Sequence, residues 1–126
     1  MKNKILLVGL FCCSLVSTEA QVLLDKNAGK NSFPIVSPAA NVVVCFDGKD
    51  ETVVRKSVTL FADDVRRVTG QDLKTQASNP GDVSARYAII VGTVGKSAWI
   101  NALVAQKKID TTPITGGWER YMLSLI

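Results

Sequence analysis

From Asn41 to Asp47 the chain reads Asn-Val-Val-Val-Cys-Phe-Asp, an unbroken apolar run of mostly β-branched side chains between two polar residues. A strand with one covered face alternates, so a continuous run predicts a strand buried on both faces, ending at Gly48. Downstream the period changes. Val54, Val58, Phe61, Ala62, Val65 and Val68 recur at intervals of three or four and make one stripe of a helix. Asp50 is placed to cap its first turn, Glu51 stands beside the positive helix end, and Gly70 suits the left-handed position that terminates it. The stripe must be buried, which predicts Val54, Val58, Phe61 and Val65 against a sheet that includes Val43 and Ile90. Glu51 with Arg55 and Asp63 with Arg67 stand four apart on the wetter side, where each pair adds only about 0.3 kcal/mol.

Asp72 to Thr75 reads as a short strand, and Asn79-Pro80-Gly81-Asp82 is a dense turn signal after it. Tyr87 to Val91 is the second clear apolar strand. Gly92 to Ser97 then turns into a helix over residues 98–107, with Trp99, Ile100, Leu103 and Val104 available to one face. Ile109, Pro113 and Ile114 fall in a connection, and Tyr121 to Ile126 is again strand-like up to the last residue of the sequence. The order strand, helix, strand, strand, helix, strand implies an α/β fold: a small two-layer or three-layer sandwich of a mixed, at least partly parallel sheet with two main helices.

Ahead of this domain, Lys2 and Lys4 precede an uncharged, mostly apolar run from Ile5 to Val16, and Thr18-Glu19-Ala20 offers small residues for cleavage before Gln21. That is the pattern of a secretory signal peptide, and the run is shorter than the roughly 20 apolar residues of a membrane span. A lipoprotein cut before Cys12 or Cys13 is disfavoured by the bulk of Phe11. The chain therefore divides into a signal peptide over 1–20, an extended lead-in over 21–40 and an α/β domain over 41–126 whose last strand is cut off. The destination is the periplasm or the cell exterior, with no stable membrane anchor.

Composition narrows the chemistry. With no histidine, the chain holds no Ser-His-Asp triad, no Cys-His pair and no imidazole metal ligand. The net charge of +4 comes from basic residues scattered among acids, without the stripe that tracks a phosphate backbone, so nucleic acid is not an expected partner. Cys12 and Cys13 leave with the signal peptide, and Cys45, flanked by valines and Phe46, reads as a buried inert thiol.

Three constellations invite a chemical reading. Gly92-Thr93-Val94-Gly95-Lys96-Ser97 joins a strand to a helix, where a phosphate loop would sit, but only Thr93 and Val94 separate the glycines. A P-loop needs four residues there, so what remains is a tight turn with Ser97 near the helix cap. Asp63-Asp64 is not a catalytic pair, because adjacent helix residues diverge by about 100°. Asp47, Asp50 and Glu51 around Gly48 lack the alternating oxygen ligands of a calcium loop and read as turn and cap chemistry. Catalytic, metal and cofactor residues are thus assigned to none of them. The densest cluster is Trp118-Glu119-Arg120-Tyr121, where the rings could stack on a sugar and the charged pair bind hydroxyls, or where all four could cover a sheet edge or the seam to another domain.

Ser32-Phe33-Pro34-Ile35-Val36, the helix segment Leu60 to Gly70, Ile89-Ile90-Val91-Gly92-Thr93-Val94-Gly95-Lys96-Ser97 and Gly117-Trp118-Glu119-Arg120-Tyr121 resemble, in that order, the N-terminal domain of glycoside hydrolase family 115. Those enzymes are xylan α-glucuronidases. The resemblance implies an accessory domain of an exported glycosidase. Its catalytic carboxylates belong to a following (β/α)8 barrel that this sequence does not contain, so no catalytic residue carries over. The partners it implies are that barrel and a polysaccharide, and the parent activity is release of glucuronic or 4-O-methylglucuronic acid from xylan. A free-standing exported carbohydrate-binding or adhesion module, with Trp99, Trp118 and Tyr121 on one face, is the alternative.

Overall fold

The computed structural model describes Gly29 and residues 32–37 and 40–126. The expected signal peptide and most of the lead-in lie outside them. Five elements follow in order: β1 (Val42–Phe46), α1 (Thr52–Thr69), β2 (Lys74–Ala77), β3 (Tyr87–Val91) and α2 (Ala98–Ala105). The protein is a small α/β domain. Its sheet runs β2-β1-β3, and where a mixed sheet was expected both ladders among the described residues are parallel.

Every residue of β1 is buried, because the strand is central and covered from both sides. Val42, Val44 and Phe46 point to one face and meet Val54, Val58 and Val65 of α1 together with Leu73. Val43 and Cys45 point to the other and meet Trp99 of α2, with Val83 and Ala85 of the connection between β2 and β3 packed beside it. The result is three layers, α1, sheet and α2. The stripe of α1 does lie on the sheet that contains Val43 and Ile90, but on the face opposite to those two side chains, since side chains alternate along a strand.

Each buried valine of α1 contributes roughly 1.5 to 3 kcal/mol before ordering entropy is subtracted. Val68, expected in the stripe, is 85% exposed. It sits about 60° round the helix from Val65, and the chain turns at Gly70 (φ 71°) to bring Leu73 into the core instead. That inward Leu73 also explains why β2 starts two residues later than Asp72: the strand proper is the polar Lys74–Ala77, which no apolar signal marks. Helix α2 stops at Ala105, ahead of the expected limit, because Lys107 takes a left-handed backbone at φ 55°. Residues 121–126, expected as a strand, run exposed without a sheet partner. No helix among the described residues is long and apolar enough to cross a membrane.

Candidate functional site

In an open α/β sheet, ligands gather outside the carboxyl ends of the strands where neighbouring strands send their helices to opposite faces. Here that place lies between β1, followed by α1 on one face, and β3, followed by α2 on the other. The loop after β1 supplies Asp47, Asp50 and Glu51, and the loop after β3 supplies Gly92 to Ser97.

These two loops are tied to each other. The buried Asp47 accepts from the Ala98 N–H at 2.9 Å through Oδ2 and from the Lys49 N–H at 2.8 Å through Oδ1. The Ala98 donor, then the Lys49 donor, holds the Asp47 carboxyl below the usual carboxylate range, against a smaller opposing effect of desolvation. Asp50 Oδ2 accepts from the Thr93 N–H at 2.8 Å, and its Oδ1 accepts from Glu51 N–H at 2.7 Å. Glu51 forms an ion pair with Lys96, not with the Arg55 expected from helical spacing. Asp50 is therefore a cross-loop acceptor; the N-cap of α1 is Glu51, which makes no side-chain cap bond.

The same contacts decide what the glycine-bearing loop can do. Ser97 stands at the N-cap of α2, and its N–H closes a tight turn on the Thr93 carbonyl at 2.9 Å. The amide that follows, Ala98 N–H, is one of the free donors that make a helix start attractive to phosphate, and Asp47 already occupies it. The site is closed by the protein's own carboxylate. In the sequence the acids and the loop are separate segments. Their union becomes visible only when β3 is known to pair with β1, a long-range fact that neither segment encodes alone.

The cluster Trp118-Glu119-Arg120-Tyr121 lies far along the chain, after a run of turns in which Ile114 and Thr115 N–H groups both bond to the Thr111 carbonyl. Trp118 and Tyr121 are 88% and 90% exposed. Arg120 Nη1 donates to the Pro113 carbonyl at 3.2 Å, and Glu119 has a left-handed backbone at φ 51°. The four residues are neighbours in sequence, but the two rings make no ring contact; among the described residues the ring pair is Phe33 with Tyr87. The Trp118 and Tyr121 rings both stand in solvent, and neither lines a walled pocket. Trp99, grouped with them in the alternative reading, is buried, with its Nε1 donating to the Ser78 carbonyl at 2.8 Å.

Asp63 and Asp64 each pair with an arginine three residues on, Arg66 at 3.4 Å and Arg67 at 3.6 Å, in place of the expected spacing of four. Burial pushes the Cys45 thiol up, only partly offset by the Ser78 hydroxyl beside it, so it stays protonated and unreactive at neutral pH. No protein-family model matches the chain, and no curated protein matches it.

Proposed function

We propose that this is the N-terminal, non-catalytic domain of an exported glycoside hydrolase resembling family 115, within a protein that releases glucuronic acid or its 4-O-methyl form from xylan branches. One contrast carries the reading. The crevice where such a sheet holds a ligand is occupied by Asp47, Asp50 and the Glu51–Lys96 pair, whereas Trp118 and Tyr121 stand almost wholly in solvent. A surface of that kind serves contact, not reaction. Glycoside hydrolysis needs two carboxyl groups about 5 to 10 Å apart across one bond. Asp63 and Asp64 diverge on α1 and are engaged by their arginines, and Asp47 and Asp50 are committed to backbone donors.

The domain's role in this reading is structural: it packs against the barrel that carries the carboxylates, with Trp118, Glu119, Arg120 and Tyr121 at the seam. Export follows cleavage near Ala20. The test is direct. Purified residues 21–126 release no uronic acid from glucuronoxylan, and the reading frame followed beyond the Ile126 codon encodes a barrel; hydrolysis by the domain alone, or a frame without a barrel, overturns the reading. The same exposure of Trp118 and Tyr121 favours one second reading, an exported carbohydrate-binding or adhesion module. Retention on insoluble xylan that is lost in Trp118→Ala would select it.

A further inference from the structure

The two edges of the sheet are built differently. β2 is Lys-Thr-Gln-Ala and exposed along its length, the short polar edge that tolerates water. β3 is Tyr-Ala-Ile-Ile-Val, yet it forms the other edge with all five residues only half-buried. An apolar edge strand of that length is one that proteins normally cover. The surface beside it is apolar as well: a groove of about 270 Å³ between α1 and β3 is lined by Ser57, Val58, Phe61, Ile89 and Val91. At about 100° per residue, Val53 and Leu60 fall on the same flank of α1 as Ser57 and Phe61, and they are 65% and 64% exposed.

Topology gives the direction from which a cover arrives. The step from β1 to β2 moves toward one edge with α1 over one face. Crossovers between parallel strands of one sheet keep one hand, so a helix on the opposite face belongs to a step in the opposite direction. Helix α2 follows β3 and lies on that opposite face, through Trp99 against Val43 and Cys45. A parallel strand after α2 therefore falls beyond β3, on its free edge.

The next apolar segment after α2 is Tyr121–Ile126, reached through the connection 106–120. It carries no charge, as the groove lining carries none, while Glu119 and Arg120 just before it bear both signs. Tyr121, Leu123 and Leu125 share one face of an extended segment, are all apolar, and are 90%, 79% and 74% exposed. Six residues is an ordinary strand length. We propose that the free edge of β3 is a strand-acceptor surface and that Tyr121–Ile126 of the same chain, exposed and unpaired in this structure, docks on it as a fourth parallel strand. Tyr121, Leu123 and Leu125 then fill the groove beside Phe61, Ile89 and Val91. This rests on the topology and the apolar groove, not on the glycosidase reading; it moves Tyr121 from the seam into the domain and leaves Trp118, Glu119 and Arg120 as the exposed cluster.

Residue-resolved amide hydrogen exchange on the purified protein tests it. Along a bare edge strand alternate amides face water and exchange like free peptide. Under a fourth strand, every amide of Tyr87–Val91 and alternate amides of Tyr121–Ile126 slow by about 100-fold or more, at monomer mass and independently of concentration. Leu123→Asp, which puts a charge into the groove, returns the outward β3 amides to fast exchange while β1 stays protected; if it exposes β1 too, the milder Leu123→Thr gives a graded loss confined to β3. Fast alternate β3 amides in the unmodified protein, unchanged β3 protection in both variants, or protection that appears only with a dimer and vanishes on dilution overturns the proposal, the last by assigning the strand to a second copy.

Discussion

Gly92 and Ser97 are packed as one unit at the start of α2. Ser97 is wholly buried, and a Cβ built at Gly92 would collide with its Oγ, stand 2.6 Å from its Cβ and 2.9 Å from Ile100 Cγ1. These neighbours are held by a helix turn and cannot swing aside. Gly92→Ala should therefore cost about 1 to 3 kcal/mol, the range for overpacking, read as a lower urea midpoint with unchanged slope. Asp47 carries a pH signature. Its carboxyl is held below the ordinary value in the folded state, so its stabilising contribution is complete above the unfolded pKa of about 3.9. That contribution is lost as pH falls from there through the depressed folded pKa. Asp47→Asn, which keeps an acceptor for the Ala98 N–H but not the charge, should lower the melting temperature at pH 7 and match the unmodified protein more closely near about pH 2 to 3. A gap that widens toward acid would contradict the assignment of that carboxylate.

At the scale of elements, the helix α1 distinguishes what periodicity can and cannot say. Val58 is 2% exposed and Val68 85%, although both fit the same stripe. Val58→Ala should cost about 2 kcal/mol from lost burial and the small cavity left behind. Val68→Ala should change stability by less than about 0.5 kcal/mol, as surface positions do. Parallel urea titrations of the two variants check the contrast. The strands β1 and β3 were legible as unbroken apolar runs, and the helices because their apolar side chains gather on one face. The limits of β2 were not, because an edge strand of polar residues carries no burial pattern and is defined by its partner, Val43 opposite Lys74. The loop bonds from Asp47 to Ala98 and from Asp50 to Thr93 were illegible for the same reason: they join residues 51 and 43 apart in sequence, and only the sheet order brings them together. The exposed cluster at Trp118 could be found in the sequence, but whether it faced core or water could not, since aromatic composition is the same in either setting.

For the molecule as a whole, its two tryptophans sit at opposite extremes of exposure and give a readout of the closed layer and of the open surface at once. Trp99 is 9% exposed, packed against Val43 and Cys45, with its indole N–H bonded to the Ser78 carbonyl. Trp118 is 88% exposed. Trp118→Phe leaves only the buried indole, whose emission should be blue-shifted and resist acrylamide. Trp99→Phe leaves only the exposed one, whose emission should be red-shifted and readily quenched. Trp99 fills the layer between sheet and α2, so Trp99→Phe also leaves a gap and an unpaired Ser78 carbonyl, and its melting temperature should fall; Trp118→Phe should leave melting unchanged. The exposed indole then becomes the probe of function. If the proposed barrel sits at the seam, it shields Trp118 from quencher in a chain that carries both, and if the surface is instead a sugar site, added xylan fragments shield the ring in the isolated domain. Equal quenching of the two variants would mean that the α2 layer is not closed over β1. Shielding by neither partner would remove Trp118 from both functional readings while leaving the fold intact.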